Sequence, residues 1–361
     1  IFGFTDYLGM DLLHFKVRLK AEHIGMFTSF IGNINMYTGL LSVYLGAACL
    51  LWVSCPNKLR SIWYYVNVWV IFIALITGRS DNAYLSLAAA FTFIPIYAFR
   101  TRQGIRRYVV LLATFLTSLK VIEWIATTYA DRVYQIDSLY NSLVSFSKLI
   151  LLIKVLWIIA IILYLIDFIS KKADATVSPW FSRIWIGLIV IGFAAFLYVL
   201  YDVNIAGNAD QYGSAKSFLL FNDSWGTHRG VIWRLAIEDY QDFTPIHKLF
   251  GYGPDTFGLV TYYHNMDIMT NVYHQIFDSA HNEYLQFFIT VGPIGLLSYL
   301  AIFVTAFIRI IKKGCQNPYV IAAMFGVLCY SAQATVNIGT PITIPIMFLF
   351  LSMALAGCRE S

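Results

Sequence analysis

Nine apolar segments alternate with polar connections along the chain, at about 36–54, 61–78, 82–99, 108–126, 149–169, 183–200, 284–311, 319–336 and 341–357. A helix needs roughly 20 apolar residues to cross a bilayer, so each segment predicts a membrane span. The 284–311 segment is too long for one straight span, so it is expected to tilt or to carry a surface turn, and Gly292-Pro293 near its middle offers a place for a kink. Between the sixth and seventh segments lies a polar stretch, 201–283. It is too long for a passive connection. Its content of Trp, Tyr, Phe and Ile argues against disorder. Within it, residues 228–240 predict an amphipathic helix, with Val231, Ile232, Leu235 and Ala236 forming one apolar stripe and Thr227 as its cap.

Composition supports a membrane class. Of the 361 residues, 59% are hydrophobic and 12% are charged, and the mean hydropathy is +0.67. A soluble domain carries about 25% charged residues. The pattern therefore predicts an all-α polytopic membrane protein: a segment 1–35, a six-span bundle 36–200, a large helical loop 201–283 and a three-span bundle 284–361. The chain opens on Ile1, and its first 35 residues are mixed and amphipathic, so we expect the start to lie upstream, with further spans.

Orientation follows from the basic loops. Arg100, Arg102, Arg106 and Arg107 follow the third segment, and Lys171, Lys172 and Arg183 follow the fifth. Lys58 and Arg60 follow the first, and Arg309, Lys312 and Lys313 follow the seventh. If the spans alternate, all four loops share one side, which is expected to be cytoplasmic. Residues 1–35, 127–148 and 201–283 are then extracytoplasmic, and all seven His fall there. None of the five Cys (Cys49, Cys55, Cys315, Cys329, Cys358) falls in an outer loop, which argues against a disulfide framework. No metal-ligand spacing is present, and no metal or cofactor is expected.

The candidate chemistry clusters on the outer side. The loop ends in Ser279-Ala280-His281-Asn282-Glu283-Tyr284-Leu285-Gln286 and runs directly into an apolar segment. His281, at a helix start, is suited to remain neutral and accept a proton; an interfacial His that only caps or hydrogen-bonds is the other reading. Arg229 and Arg234 lie about 140° apart around a helix, so they do not readily face one ligand. Gly251-Tyr-Gly253-Pro predicts a tight turn, either plain or with amides near a phosphate or sugar. Arg79 lies in the outer turn Gly78-Arg79-Ser80. Lys120 and Glu123 lie inside the fourth segment, where they either pair with each other or line a site, and Lys154 either snorkels or adds to the same cationic level. Cations at this level suit an anionic lipid headgroup such as a diphosphate.

These residues resemble the O-antigen ligase and bacterial polysaccharide polymerase superfamily. The resemblance covers about residues 18–312. It rests on Arg18 with Phe30-Ile-Gly-Asn-Ile-Asn35, on Thr77-Gly-Arg79-Ser80 (with Arg and Ser in the less common order), on Arg229-xxx-Trp233…Pro245…Gly251-x-Gly253-xxx-Phe257, and on His281-Asn282-x-Tyr-Leu-Gln with Gly292-xx-Gly295. It implies a glycosyltransferase type C-like fold in a bacterial cytoplasmic membrane. It implies a metal-independent, inverting transfer of a glycan from a polyprenyl diphosphate to an acceptor glycan or lipid-linked sugar. Carried over by position, His281 is the base or acceptor-positioning group and Arg229 a catalytic and diphosphate-binding group. Arg79, Arg18 and Lys120 complete the diphosphate site, and Asn282, Trp233, Gly251 and Gly253 support the loop. Membrane lipids are expected partners; nucleic acid is not. The competing classes are a polysaccharide transporter or flippase, which would carry charges through several spans and broken helices at the midplane, and a scaffold for an export complex.

Overall fold

A computed structural model describes residues 1–170, 175–313 and 317–360. Lys171, Lys172 and Cys315 lie outside the described residues. Every named element among the described residues is helical, and an isolated bridge joins Thr101 to Thr176. All nine predicted segments fall on helices. Among the described residues, seven helices are long and apolar enough to cross a membrane, and Asn82–Ala98 and Ile344–Cys358 are shorter apolar helices.

The chain forms two compact units, one of residues 1–185, 307–333 and 340–361 and the other of residues 186–306 and 334–339. In the first, Pro318–Gln333 packs along Ile34–Ser54, with Lys58–Thr77, Asn82–Ala98 and Ile344–Glu360 around this pair. Leu45, Leu50, Phe72, Leu75, Ile94 and Leu111 fill the core. Helix ends are secured locally. Asn33 accepts from the amides of Asn35 and Met36, and Asn57 from that of Arg60. At the other end of Ile34–Ser54, Arg107 donates to the carbonyls of Trp52 and Cys55, and Gln103 to that of Cys55 at 3.1 Å. These bonds answer carbonyls that a helix leaves unpaired at its C-terminus.

Leu149–Ser170 and Trp180–Asn204 are apolar on all sides, and the most apolar stretch of the second has no residue buried. Such helices are stable only against lipid or another protein.

The second unit is wider than the polar stretch 201–283. Its core joins Val231, Ile232, Leu235 and Ala236 to Phe257, Met269, Phe277 and Ile289. The apolar stripe predicted for 228–240 is therefore the inward face of the Trp225–Asp242 helix. Its start differs from expectation. Thr227 is not a cap: Gly226, Thr227 and His228 have φ of 61°, 59° and 71°, and the Arg229 guanidinium donates to the Gly226 carbonyl at 3.1 Å. A left-handed turn containing a β-branched residue costs energy and must be imposed by its surroundings.

The long 284–311 segment is two helices, Glu283–Thr290 and Gly292–Lys312, joined by a turn at Val291, so it carries a turn rather than running as a single tilted span. Gly292 has φ 71°, and a Cβ there would collide with the Leu249 carbonyl. Gly251 is its counterpart, with φ 67° and no room for a Cβ beside the Thr290 carbonyl. Gly253 donates its amide to that carbonyl at 2.8 Å, and Gly251 donates to His247 at 2.8 Å. The glycine turn is thus a backbone clasp on the Glu283–Thr290 helix, and the amides of Gly251 and Gly253 are already used. Gly251→Ala is expected to destabilise the protein by about 2–4 kcal/mol, combining left-handed strain with overpacking. Gly253→Ala would meet only the Thr256 methyl, at 3.9 Å, and should cost less. Thermal unfolding of the two purified variants checks the order.

Candidate functional site

In the second unit the site is built around the backbone of Ala280. The Trp233 indole donates to the Ala280 carbonyl at 2.8 Å, and the Ala280 amide donates to the Gln286 side chain at 2.8 Å. Helix Trp225–Asp242 thus holds one side of this residue and helix Glu283–Thr290 the other. Asn282 caps the second helix, accepting from the amides of Tyr284 and Leu285 at 3.0 Å each. His281 is fixed between Ala280 and Asn282, with φ 46°. It is therefore not the cap; Asn282 performs that role.

The His281 ring is half-buried, and its Nδ1 is buried without a hydrogen-bond partner. Burial lowers its pKa below the ordinary value of 6.5; the positive charge of Arg229 lowers it further, and Asp278 opposes both. The imidazole is accordingly neutral at neutral pH, as a proton acceptor must be. Buried ring nitrogens without a bond are uncommon and call for a functional explanation. Arg234 is engaged elsewhere. It binds Asp223 through two nitrogens, at 2.8 and 2.9 Å, and pairs with Glu238 at 3.0 Å. Of the two arginines on this helix, only Arg229 acts electrostatically on His281.

The first unit gathers a second set of charges. The Arg79 guanidinium donates to the Gly25 carbonyl and lies 4.7 Å from the centre of the Tyr134 ring. Lys16 shares that ring at 4.8 Å and pairs with Asp6 at 3.4 Å. Asp6 also accepts from the Ser29 amide at 2.6 Å. Burial lowers the Arg79 pKa, while Tyr134, Asp6, Asp137 and Tyr7 hold its charge. Arg79 has φ 55°, another strained position. Ser80 donates to the Asn35 side chain at 2.6 Å, and Thr38 to Asn82 at 2.7 Å. The two N-terminal motif elements are therefore one assembly.

The other first-unit candidates are placed differently. Arg18 is exposed on the one-turn helix Lys16–Arg18, and Lys16 from the same turn is the cation beside Arg79. Lys120 pairs with Glu123 at 2.5 Å and donates to the Val144 carbonyl at 3.1 Å, so it is committed to its own surroundings. Lys154 is exposed. Lys16, Tyr134, Asp137 and Asp278 do not stand out as site residues in the sequence. Gln286 is visible inside the His281-Asn-x-Tyr-Leu-Gln run, and Lys16 stands two residues from Arg18. Nothing local marks Tyr134 or Asp137.

Asp137 carries the clearest pH signal. Burial and the neighbouring Asp81 raise its carboxyl from 3.8 to about 7, against the Tyr140 amide, which it accepts. A raised carboxyl pKa favours the protonated fold. Its contribution is complete below the unfolded value and is lost as pH climbs from about 4 through about 7. The melting temperature of the wild type should therefore fall across that window. Asp137→Asn, which keeps the cap, should flatten the fall. An unchanged slope in Asp137→Asn would assign it to another group.

Fold and sites together define an all-helical chain with several helices fit to cross a membrane, a neutral His281 under the charge of Arg229 in one unit, and an Arg79–Lys16 cluster in the other. No family model, no curated protein and no solved structure matches the chain. Among the described residues, no group of three or more His, Cys, Asp or Glu side chains is placed to hold a metal ion.

Proposed function

We propose that the protein is a multi-pass membrane glycosyltransferase that moves a glycan from a polyprenyl diphosphate to a sugar hydroxyl. The resemblance to O-antigen ligases and polysaccharide polymerases motivates this reading; on it, nine helices span the membrane and residues 201–283 face the extracytoplasmic side. The observation that carries it is His281: a histidine in strained backbone, next to the doubly clamped Ala280, kept neutral by burial and by Arg229 at the start of an apolar helix.

The chemistry follows from those properties. His281 takes the proton of the acceptor hydroxyl as that oxygen attacks C1 of the donor sugar. The bond from C1 to the diphosphate oxygen breaks, with inversion at C1, and the diphosphate leaves with the electron pair. Arg229 stabilises the charge that develops on this leaving group, and a cation held in advance is worth most in a site shielded from water. The clamp on Ala280 keeps the base in register with the acceptor.

The test is transfer by the purified protein from a defined polyprenyl-diphosphate glycan, offered either a lipid-core sugar or a second lipid-linked unit. Product on the first acceptor marks a ligase and product on the second a polymerase. Glycan flux through proteoliposomes with no new glycosidic bond would replace this reading with transport.

A further inference from the structure

Two cavities in the first unit share a wall. One, of about 310 Å³, is apolar and is lined by Phe93, Ile96, Met324, Phe325 and Leu328. The other, of about 490 Å³, is mixed, with Ser54, Thr101, Gln103 and Thr176 among apolar residues such as Val53 and Pro56. Tyr97 and Arg100 line both. The Arg100 guanidinium lies 5.3 Å from the centre of the Tyr97 ring.

The arginines of this turn have different commitments. Arg106 binds Asp167, and Arg102 reaches the same carboxylate at 3.6 Å. Arg107 is held by the Trp52 and Cys55 carbonyls. Arg100 is exposed and, among the described residues, pairs with no carboxylate. Gln103, 8% exposed, turns its amide to the carbonyls at the end of Ile34–Ser54, so they do not repel an anion. The mixed cavity therefore has cationic character at Arg100, and an apolar groove opens from the same arginine.

We propose that these joined cavities bind one anionic glycerophospholipid, with its phosphate on Arg100 and an acyl chain in the groove between Ile96 and Leu328. The juxtaposition matches an amphiphile: a phosphate requires a cation with no competing carboxylate, and an acyl chain requires a dry groove beginning at that cation. Free phosphate would leave the groove unused, and a zwitterionic lipid such as phosphatidylcholine would bring a second cation beside Arg100 along with its phosphate. The site is separate from the Arg79 cluster. Arg79 and Arg100 flank opposite ends of Asn82–Ala98, a 17-residue helix about 26 Å long.

Native mass spectrometry of the full chain in detergent, titrated with phosphatidylglycerol, phosphatidylcholine or inorganic phosphate, tests this. The wild type should retain one phosphatidylglycerol in preference to phosphatidylcholine, and inorganic phosphate should not displace it. Arg100→Gln should weaken that retention about tenfold, the scale of one charge-assisted contact. Ile96→Trp, which fills the groove while leaving Arg100 in place, should weaken it as well. Arg183→Gln, which removes a cation lining neither cavity, should leave it unchanged. Equal retention by wild type and Arg100→Gln, equal retention of the two lipids, or full displacement by inorganic phosphate would each overturn the proposal.

Discussion

His281→Asn is expected to lower glycan transfer by about 10²–10⁴-fold, the range that a positioned general base contributes. Asparagine is the informative replacement because His281 holds φ 46°. Asn tolerates this left-handed backbone, whereas alanine adds about 1–2 kcal/mol of strain and would confuse loss of a base with loss of structure. The Trp233–Ala280–Gln286 clamp uses backbone atoms of Ala280 and survives the change. The variant should therefore unfold at the wild-type temperature while losing transfer. It should also lose the acidic limb of the rate–pH profile. In the wild type that limb lies below the ordinary histidine value, because burial and Arg229 both depress the ring's pKa. Transfer within a few-fold of wild type would remove His281 from the reaction.

Arg229→Gln is the second large effect, and it reads out differently. Loss of a group that stabilises developing charge lowers turnover by about 10²–10³-fold. Its charge also depresses the His281 pKa, so its removal should move the acidic limb of the residual activity to higher pH. Arg229→Lys should leave the limb near its wild-type position, because the positive charge remains, while restoring only part of the rate, because the planar fork is lost. A profile that does not move in Arg229→Gln would mean that the arginine does not act on His281. Its bond to the Gly226 carbonyl makes a comparison of melting temperatures part of the same experiment.

The helices are legible in the sequence because their signals are local. Apolar length marks a helix capable of crossing a membrane, and every segment found that way is helical. The stripe Val231, Ile232, Leu235 and Ala236 is legible for the same reason, since a period near 3.6 places those residues on one face, and all four are buried. The failures also follow a rule. Thr227 satisfies the composition of a cap, but the chain enters that helix through a left-handed turn that composition does not reveal. The long apolar segment exceeds one straight span, and its length alone does not choose between a tilt, a kink and a turn. The break occurs because Gly292 must pass close to Leu249 in another segment.

The candidate site divides along the same line. His281, Arg229, Trp233 and Asn282 carry a pattern, and the last three act visibly in the fold. Trp233 holds Ala280, Asn282 caps a helix, and Arg229 depresses the histidine's pKa. Lys16, Tyr134 and Asp137 carry none, because they depend on segments meeting that lie far apart in the chain. Lys16 and Arg79 become neighbours only through the ring of Tyr134. Helix type, apolar class and the identity of the one histidine at the lip of an apolar helix are properties of neighbouring residues, and the amino-acid order alone carries them. Charge pairing, ring stacking and the neutrality of His281 depend on distance through space and on exclusion of water. Only the folded chain sets those, because Coulomb energy and desolvation respond to separation and burial rather than to position in the sequence.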